Sequence, residues 1–137
     1  MLPAQDTDTA IGYKHLRGAR VLVVEDEPMI CLLFEDMLAE LGCELVASAS
    51  SFAQACELAQ RADKIDVAIL DVILGDRPVF PLATQLAERG VHLLFCTGLG
   101  PGGLPPEWRG CGTLSKPVTI KALANELSRA LGSPSRG

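Results

Sequence analysis

The sequence of 137 residues has no apolar run near the roughly 20 residues that a membrane-spanning helix needs, so no membrane insertion is expected. Its first residues carry neither a basic start nor an apolar signal core, and we expect a cytoplasmic protein. Positive charge is also scarce, since 12 Lys and Arg face 17 Asp and Glu and leave a net charge of −5. This balance disfavours binding to nucleic acid, which depends on cationic contacts to phosphates.

The cysteines form no C-x-x-C pair and have no histidine at ligand spacing, which argues against a zinc site and against a disulfide framework. We expect reduced side chains packed in the core at Cys31, Cys43, Cys56, Cys96 and Cys111. Hydrophobic residues are plentiful at 48%, enough for a chain of this length to bury the core of one domain. The expected domain spans residues 19–131, between flexible tails at 1–18 and 132–137.

Short apolar runs alternate with helical patterns along the domain, the order typical of βαβ units around a buried parallel sheet. Amphipathic helices are predicted to begin at Pro28, at Ser51, near residue 79 and at Ile120; Ser51 and Gln54 have the spacing of a capping box. Residues 75–78 are predicted to form a turn. Strands are predicted at 20–25, 44–48, 66–70, 91–96 and 113–115.

Residues 98–112 interrupt this alternation. Seven further glycines and prolines lie between Gly98 and Gly112, so a loop is predicted where the pattern would place a helix. Gly98-x-Gly100-x-x-Gly103 formally matches a dinucleotide-binding fingerprint, but Leu-Pro-Pro follows it. Without a helix N-terminus to hold a pyrophosphate, we exclude that reading.

Polar residues stand where four of the predicted strands end. The carboxyl ends of parallel strands meet at one edge of a sheet, which is where ligand sites of such sheets form. Taken singly, each residue is ordinary, because acids cap helices and lysines lie on surfaces. Their joint placement predicts one polar site built from Glu25, Asp26, Asp71, Thr97 and Lys116.

In order and placement, Glu25-Asp26, Asp71, Thr97 and Lys116-Pro117 resemble the receiver domain of two-component response regulators. The resemblance covers about residues 20–131. It implies an α/β, flavodoxin-like, doubly wound five-stranded parallel sheet with strand order 2-1-3-4-5. The loop at 98–112 would then reduce or replace the fourth helix.

The resemblance also implies the chemistry of the site. Asp71 would be the phosphoacceptor, with Thr97 and Lys116 contacting the phosphoryl group. Mg²⁺, or Mn²⁺, would be bound by carboxylates and one main-chain carbonyl, from Glu25, Asp26, Asp71 and Ile73. Many relatives carry a polar side chain at the position of Ile73, and this chain does not.

Two departures from the family concern signalling. Phe95-Cys96-Thr97-Gly98-Leu99-Gly100 is similar to the Phe-Ala-Thr-Gly-hydrophobic-Tyr motif of an alphaproteobacterial subgroup, with Gly100 in place of Tyr. Thr113 occupies the position of the usual switch aromatic. Transmission would therefore use residues 98–112 or the last helix. Trp108 and Pro117 are candidate switch or partner-contact residues, although Trp108 could instead hold its own loop.

The resemblance implies a stand-alone receiver in a phosphorelay, phosphorylated by a sensor histidine kinase or a histidine phosphotransfer protein. Its output would be altered protein–protein binding to an unidentified target. We expect a phosphoacceptor and not an enzyme, with self-phosphorylation from small donors and slow autodephosphorylation. One alternative is an interaction module of receiver type that works without phosphorylation. A second is an enzyme with a small flavin or nucleotide ligand on the same fold.

Overall fold

The computed structural model describes residues 14–61, 64–98 and 103–132. Five parallel strands form the main sheet, and four helices cover it. In chain order the elements are β1 (Arg20–Val24), α1 (Pro28–Leu41), β2 (Glu44–Ala49), α2 (Phe52–Arg61), β3 (Val67–Asp71), β4 (Ile73–Leu74), β5 (Arg77–Pro78), α3 (Phe80–Glu88), β6 (His92–Thr97), β7 (Gly112–Ser115) and α4 (Ile120–Leu131).

The sheet has the order β2-β1-β3-β6-β7, and every pair of neighbouring strands in it is parallel. Because β6 and β7 are its fourth and fifth strands in sequence, this is the expected order 2-1-3-4-5, and the flavodoxin-like prediction is confirmed. The small strands β4 and β5 form a separate antiparallel hairpin directly after β3.

The sheet separates two hydrophobic cores. Phe34 of α1 and Leu127 of α4 lie in the core on one side, and Leu82 of α3 lies in the core on the other. The central strand β3 is buried along its whole length and contributes alternate residues to the two cores. Its unbroken apolar sequence follows from this, because parallel strands covered by helices on both faces meet no solvent.

The helix ends follow from local sequence. Pro28 occupies the first turn of α1, and Gly42 ends that helix with a positive φ of 81°. At α2, the N–H of Gln54 donates to Ser51 Oγ at 3.1 Å. The Gln54 side chain accepts from the N–H of Ser50 at 2.9 Å, one residue earlier than a regular capping box would use.

Two segments that follow strands of the main sheet contain a small hairpin and a 3-10 turn. Residues 75–78, predicted as a turn, are instead the tip and second strand of the β4–β5 hairpin, with Gly75 at a φ of 65°. In the described part of the segment after β6, a 3-10 turn at Pro106–Trp108 is present and no α-helix. The prediction of a reduced fourth helix is confirmed.

All five cysteines are free, as predicted. Cys43 and Cys96 are buried, as expected of core residues, and Cys56 and Cys111 are half-buried against one of the two cores. Cys31 is half-buried. Among the described helices, none is long and apolar enough to cross a bilayer.

Candidate functional site

The parallel sheet brings the predicted site residues to one edge. Glu25 follows β1, and Asp71 ends β3, the neighbouring strand. Thr97 ends β6, and Lys116 follows β7, where its N–H donates to the Thr97 carbonyl at 3.2 Å. Glu25, Asp71 and Thr97 are all buried, and acidic side chains are rarely buried unless they are paired.

Lys116 lies among the acids of this edge. Its Nζ donates to Asp71 Oδ2 at 3.2 Å and lies 3.5 Å from Glu25 Oε1. A third carboxylate, Glu27 Oε1, lies 3.9 Å away and was not predicted as part of the site. An acid beside the first turn of a helix is ordinarily explained by the helix dipole, so its position alone gave no signal.

The acidic side of the site fits a divalent cation. One carboxylate oxygen each from Glu25, Asp26 and Asp71 lies within 4.8 Å of the others. Glu25 Oε1 is buried and accepts no hydrogen bond, so a buried oxygen is left for another partner. Three carboxylates so arranged form the hard oxygen set that Mg²⁺ and Mn²⁺ prefer.

Ile73 begins β4, two residues after Asp71. Val79 donates to the Val72 carbonyl at 2.9 Å, which makes these two residues a hydrogen-bonded pair. Since such pairs alternate along an antiparallel ladder, Ile73 and Pro78 form a pair without hydrogen bonds. Pro78 has no N–H in any case. The Ile73 carbonyl is therefore not used by the hairpin ladder, while its side chain is exposed.

Burial sets the protonation of the site. Together with the charge of Asp71 and a hydrogen bond with that residue, it raises the pKa of Glu25 to about 7. Burial acts to lower the pKa of Lys116, but the carboxylates of Asp71 and Glu25 outweigh this and raise it. Near neutral pH, the site thus holds a protonated lysine beside acids that repel one another, and an added cation would relieve that repulsion.

A backbone contact holds Asp26, the most accessible of the three acids. The N–H of Gly75, at the tip of the β4–β5 hairpin, donates to Asp26 Oδ2 at 2.9 Å. No pattern in the sequence indicated this contact, because the two residues are far apart in the chain and a glycine in a turn has many explanations.

Of the two candidates for switching, Trp108 packs within the molecule. Its ring lies 6.0 Å from that of Phe80 and 5.7 Å from that of Phe95, measured between centroids. It therefore holds its own segment against β6. Thr113 lies beside Phe95 in the ladder between β6 and β7. The Lys116–Pro117 peptide bond is cis.

Residues 21–128 match the family described as the response regulator receiver domain. The chain belongs to this family. The match covers both ends of the sheet and all the residues placed at the site. Gly100, the departure from the subgroup motif, lies outside the described residues.

Relatives of this receiver differ in how much of their length it covers. It is 29% identical over 133 residues to the transcriptional regulatory protein PdtaR of Mycobacterium tuberculosis, covering 94% of this chain but spanning only 62% of PdtaR. SdrG from Sphingomonas melonis Fr1 is 34% identical with a TM-score of 0.74, over 83% of this chain and 97% of SdrG. PhyR from Brucella abortus is 26% identical with a TM-score of 0.72, over 90% and 52%.

Proposed function

We propose that this chain takes a phosphoryl group on Asp71 from a sensor histidine kinase or a histidine phosphotransfer protein, and that it signals by altered protein binding. The observation that carries this proposal is the contact between Lys116 Nζ and Asp71 Oδ2, beside three carboxylates that fit a divalent cation. A nucleophile, a fixed positive charge and a cation site are the parts that phosphoryl transfer requires.

In the proposed reaction, a carboxylate oxygen of Asp71 attacks the phosphorus of a phosphohistidine. The new P–O bond forms as the P–N bond breaks, and the imidazole leaves with the electron pair and takes up a proton. A bound Mg²⁺ would supply neutralising charge, held by Glu25, Asp26, Asp71 and the Ile73 carbonyl. Lys116 would bind a phosphoryl oxygen, exchanging part of its contact with Asp71 for one with the new group.

Thr97 is the proposed link between the phosphoryl group and the surface. It is buried at the end of β6, two residues after Phe95, whose ring touches Trp108. A hydroxyl that moves inward to donate to the phosphoryl group would move this end of β6. The segment at 103–111 rests on Phe95 through Trp108, so its surface would change with phosphorylation.

One relative adds support. A structure of SdrG, 34% identical to this chain, is described as its BeF₃-activated conformation. Beryllofluoride on a carboxylate has the shape and charge of an acyl phosphate. The same compound should therefore convert this chain to its proposed active form, without the need for an identified kinase.

The test is intact-mass spectrometry after incubation with Mg²⁺ and acetyl phosphate. We expect an adduct with the mass of one phosphoryl group, formed only with the divalent cation, and absent in Asp71→Asn. Asp36→Asn is the matched control, because Asp36 is exposed on α1 and should leave the adduct unchanged. An unmodified wild-type protein would instead favour an interaction module that works without phosphorylation.

A further inference from the structure

The β4–β5 hairpin lies against the acidic side of the site at two points. At its tip, the Gly75 N–H donates to Asp26 Oδ2 at 2.9 Å. At its second strand, the Arg77 guanidinium lies 3.9 Å from the centroid of the Phe52 ring, at the start of α2. We propose that the hairpin positions the Asp26 carboxylate for the divalent cation, and that Arg77 is the positioning residue that clamps the hairpin on Phe52.

This inference rests on the proposed cation-dependent function and names a further residue of the same site. Among the three acids, Asp26 has the greatest freedom to move, since Glu25 and Asp71 are buried. Fixing a free carboxylate at a metal costs conformational entropy. A hydrogen bond that already holds the carboxylate removes part of that cost, as hydrogen-bond partners of metal ligands commonly do.

The hairpin needs the clamp because its own ladder is very short. Two residues in each strand do not make a stable hairpin in water. Leu74 is buried and anchors the first strand, whereas Arg77 and Pro78 of the second strand are exposed. The stacking of Arg77 on Phe52 is a side-chain contact that holds this second strand. Asp26, Phe52, Gly75 and Arg77 line one cavity of about 300 Å³.

The Arg77→Ala variant distinguishes a positioning role from simple electrostatics, because the two predict opposite changes in the affinity for Mg²⁺. Arg77 is a cation near an acidic site, so electrostatics alone would make Arg77→Ala bind Mg²⁺ more tightly. Loss of the clamp would make it bind more weakly. From the usual strength of an exposed cation–π contact, we expect the dissociation constant for Mg²⁺ to rise about threefold.

The experiment is a titration of the full chain with MgCl₂, followed by amide NMR shifts. Phe52→Leu removes the ring without changing charge and should raise the dissociation constant by a similar factor, and the double variant should add little more. Arg61→Ala is the control, since Arg61 is an exposed arginine at the far end of α2. In metal-free protein, the Gly75 amide proton should move upfield in Arg77→Ala and not in Arg61→Ala.

The outcomes separate this inference from the proposed function. An unchanged or lower dissociation constant in Arg77→Ala, with no effect of Phe52→Leu, overturns the positioning role while phosphorylation of Asp71 can still occur. Mg²⁺ binding that weakens as expected, in a protein that acetyl phosphate does not modify, supports positioning and overturns the phosphoacceptor. If Mg²⁺ leaves the NMR spectrum of the wild-type protein unchanged, both the positioning role of Arg77 and the proposed function are overturned.

Discussion

The two segments that leave the sheet on either side of the site are held in different ways. The hairpin after β3 combines the buried Leu74 with polar contacts: a backbone bond between Val79 and Val72, the Gly75–Asp26 bond and the Arg77 stack. The segment after β6 is held in its described part by apolar packing, through Leu104 in the core and Trp108 on two phenylalanine rings.

This difference assigns each segment to one part of the proposed chemistry. The hairpin contacts an acid of the cation site, so it should respond to the metal. The aromatic segment rests on β6, the strand that ends in Thr97, so it should respond to the phosphoryl group. The cation and the phosphoryl group would then change two different segments of the molecule.

Breaking the aromatic support should have the largest effect. Phe95→Ala removes a fully buried ring, and we expect a loss of about 3–5 kcal/mol in the free energy of unfolding, measured in urea. Phe34→Ala is a matched control, because Phe34 is equally buried but lies in the core on the other side of the sheet. It should cost a similar amount.

The two variants should differ in the emission of Trp108, the one tryptophan of the chain. Phe95 touches the indole, so its loss should alter the emission of the folded protein, whereas Phe34→Ala should not. If both variants alter that emission alike, the aromatic segment is not held on β6 in the way described.

Glu25→Gln tests how much the charged, buried Glu25 destabilises the metal-free protein. The expected change in stability is smaller than for Phe95→Ala. Because burial raises the pKa of Glu25 from 4.5 in the unfolded chain to about 7, ionising it disfavours the folded state. The metal-free protein should lose stability as pH rises between those values. We expect Glu25→Gln to abolish most of that loss and to gain on the order of 2 kcal/mol at pH 8.

At pH 4 the same variant should match the wild type, and saturating Mg²⁺ should reverse its advantage at pH 8, because the amide cannot replace a charged ligand. Urea unfolding at the two pH values, with and without Mg²⁺, measures both effects. Glu40→Gln serves as the control, since Glu40 is exposed at the far end of α1. If the stability of the wild type does not change from pH 4 to 8, ionised Glu25 does not destabilise the folded protein.

Much of the fold was predictable because its signals are local. The buried strand β3 is a continuous apolar run, and Gly42 ends α1 just where the amphipathic pattern stops. The absence of a regular helix near Trp108 followed from the density of glycine and proline. The hairpin was missed because two-residue strands carry no periodicity, and Gly-Asp-Arg-Pro has the composition of an ordinary turn.

The features of the site also differ in whether a sequence pattern predicts them. Asp71 and Lys116 were predictable because the ends of parallel strands meet at one edge whatever their separation in sequence. Other contacts join residues far apart in the chain and depend on side-chain or loop geometry that no periodic pattern encodes. These are the Gly75–Asp26 bond, the Arg77–Phe52 stack and the packing of Trp108 on Phe95.

The smallest expected effect separates the two segments most sharply. Mg²⁺ alone should shift the amide resonances of the hairpin around Gly75 and leave the emission of Trp108 nearly constant. Adding beryllofluoride should then change that emission, by less than Phe95→Ala does, because Thr97 closes on the bound group and moves the end of β6. Asp71→Asn should abolish this second response, and Thr97→Val should weaken it by removing the hydroxyl. A full change of Trp108 emission with Mg²⁺ alone would mean that the two segments move together and that the cation already sets the active form.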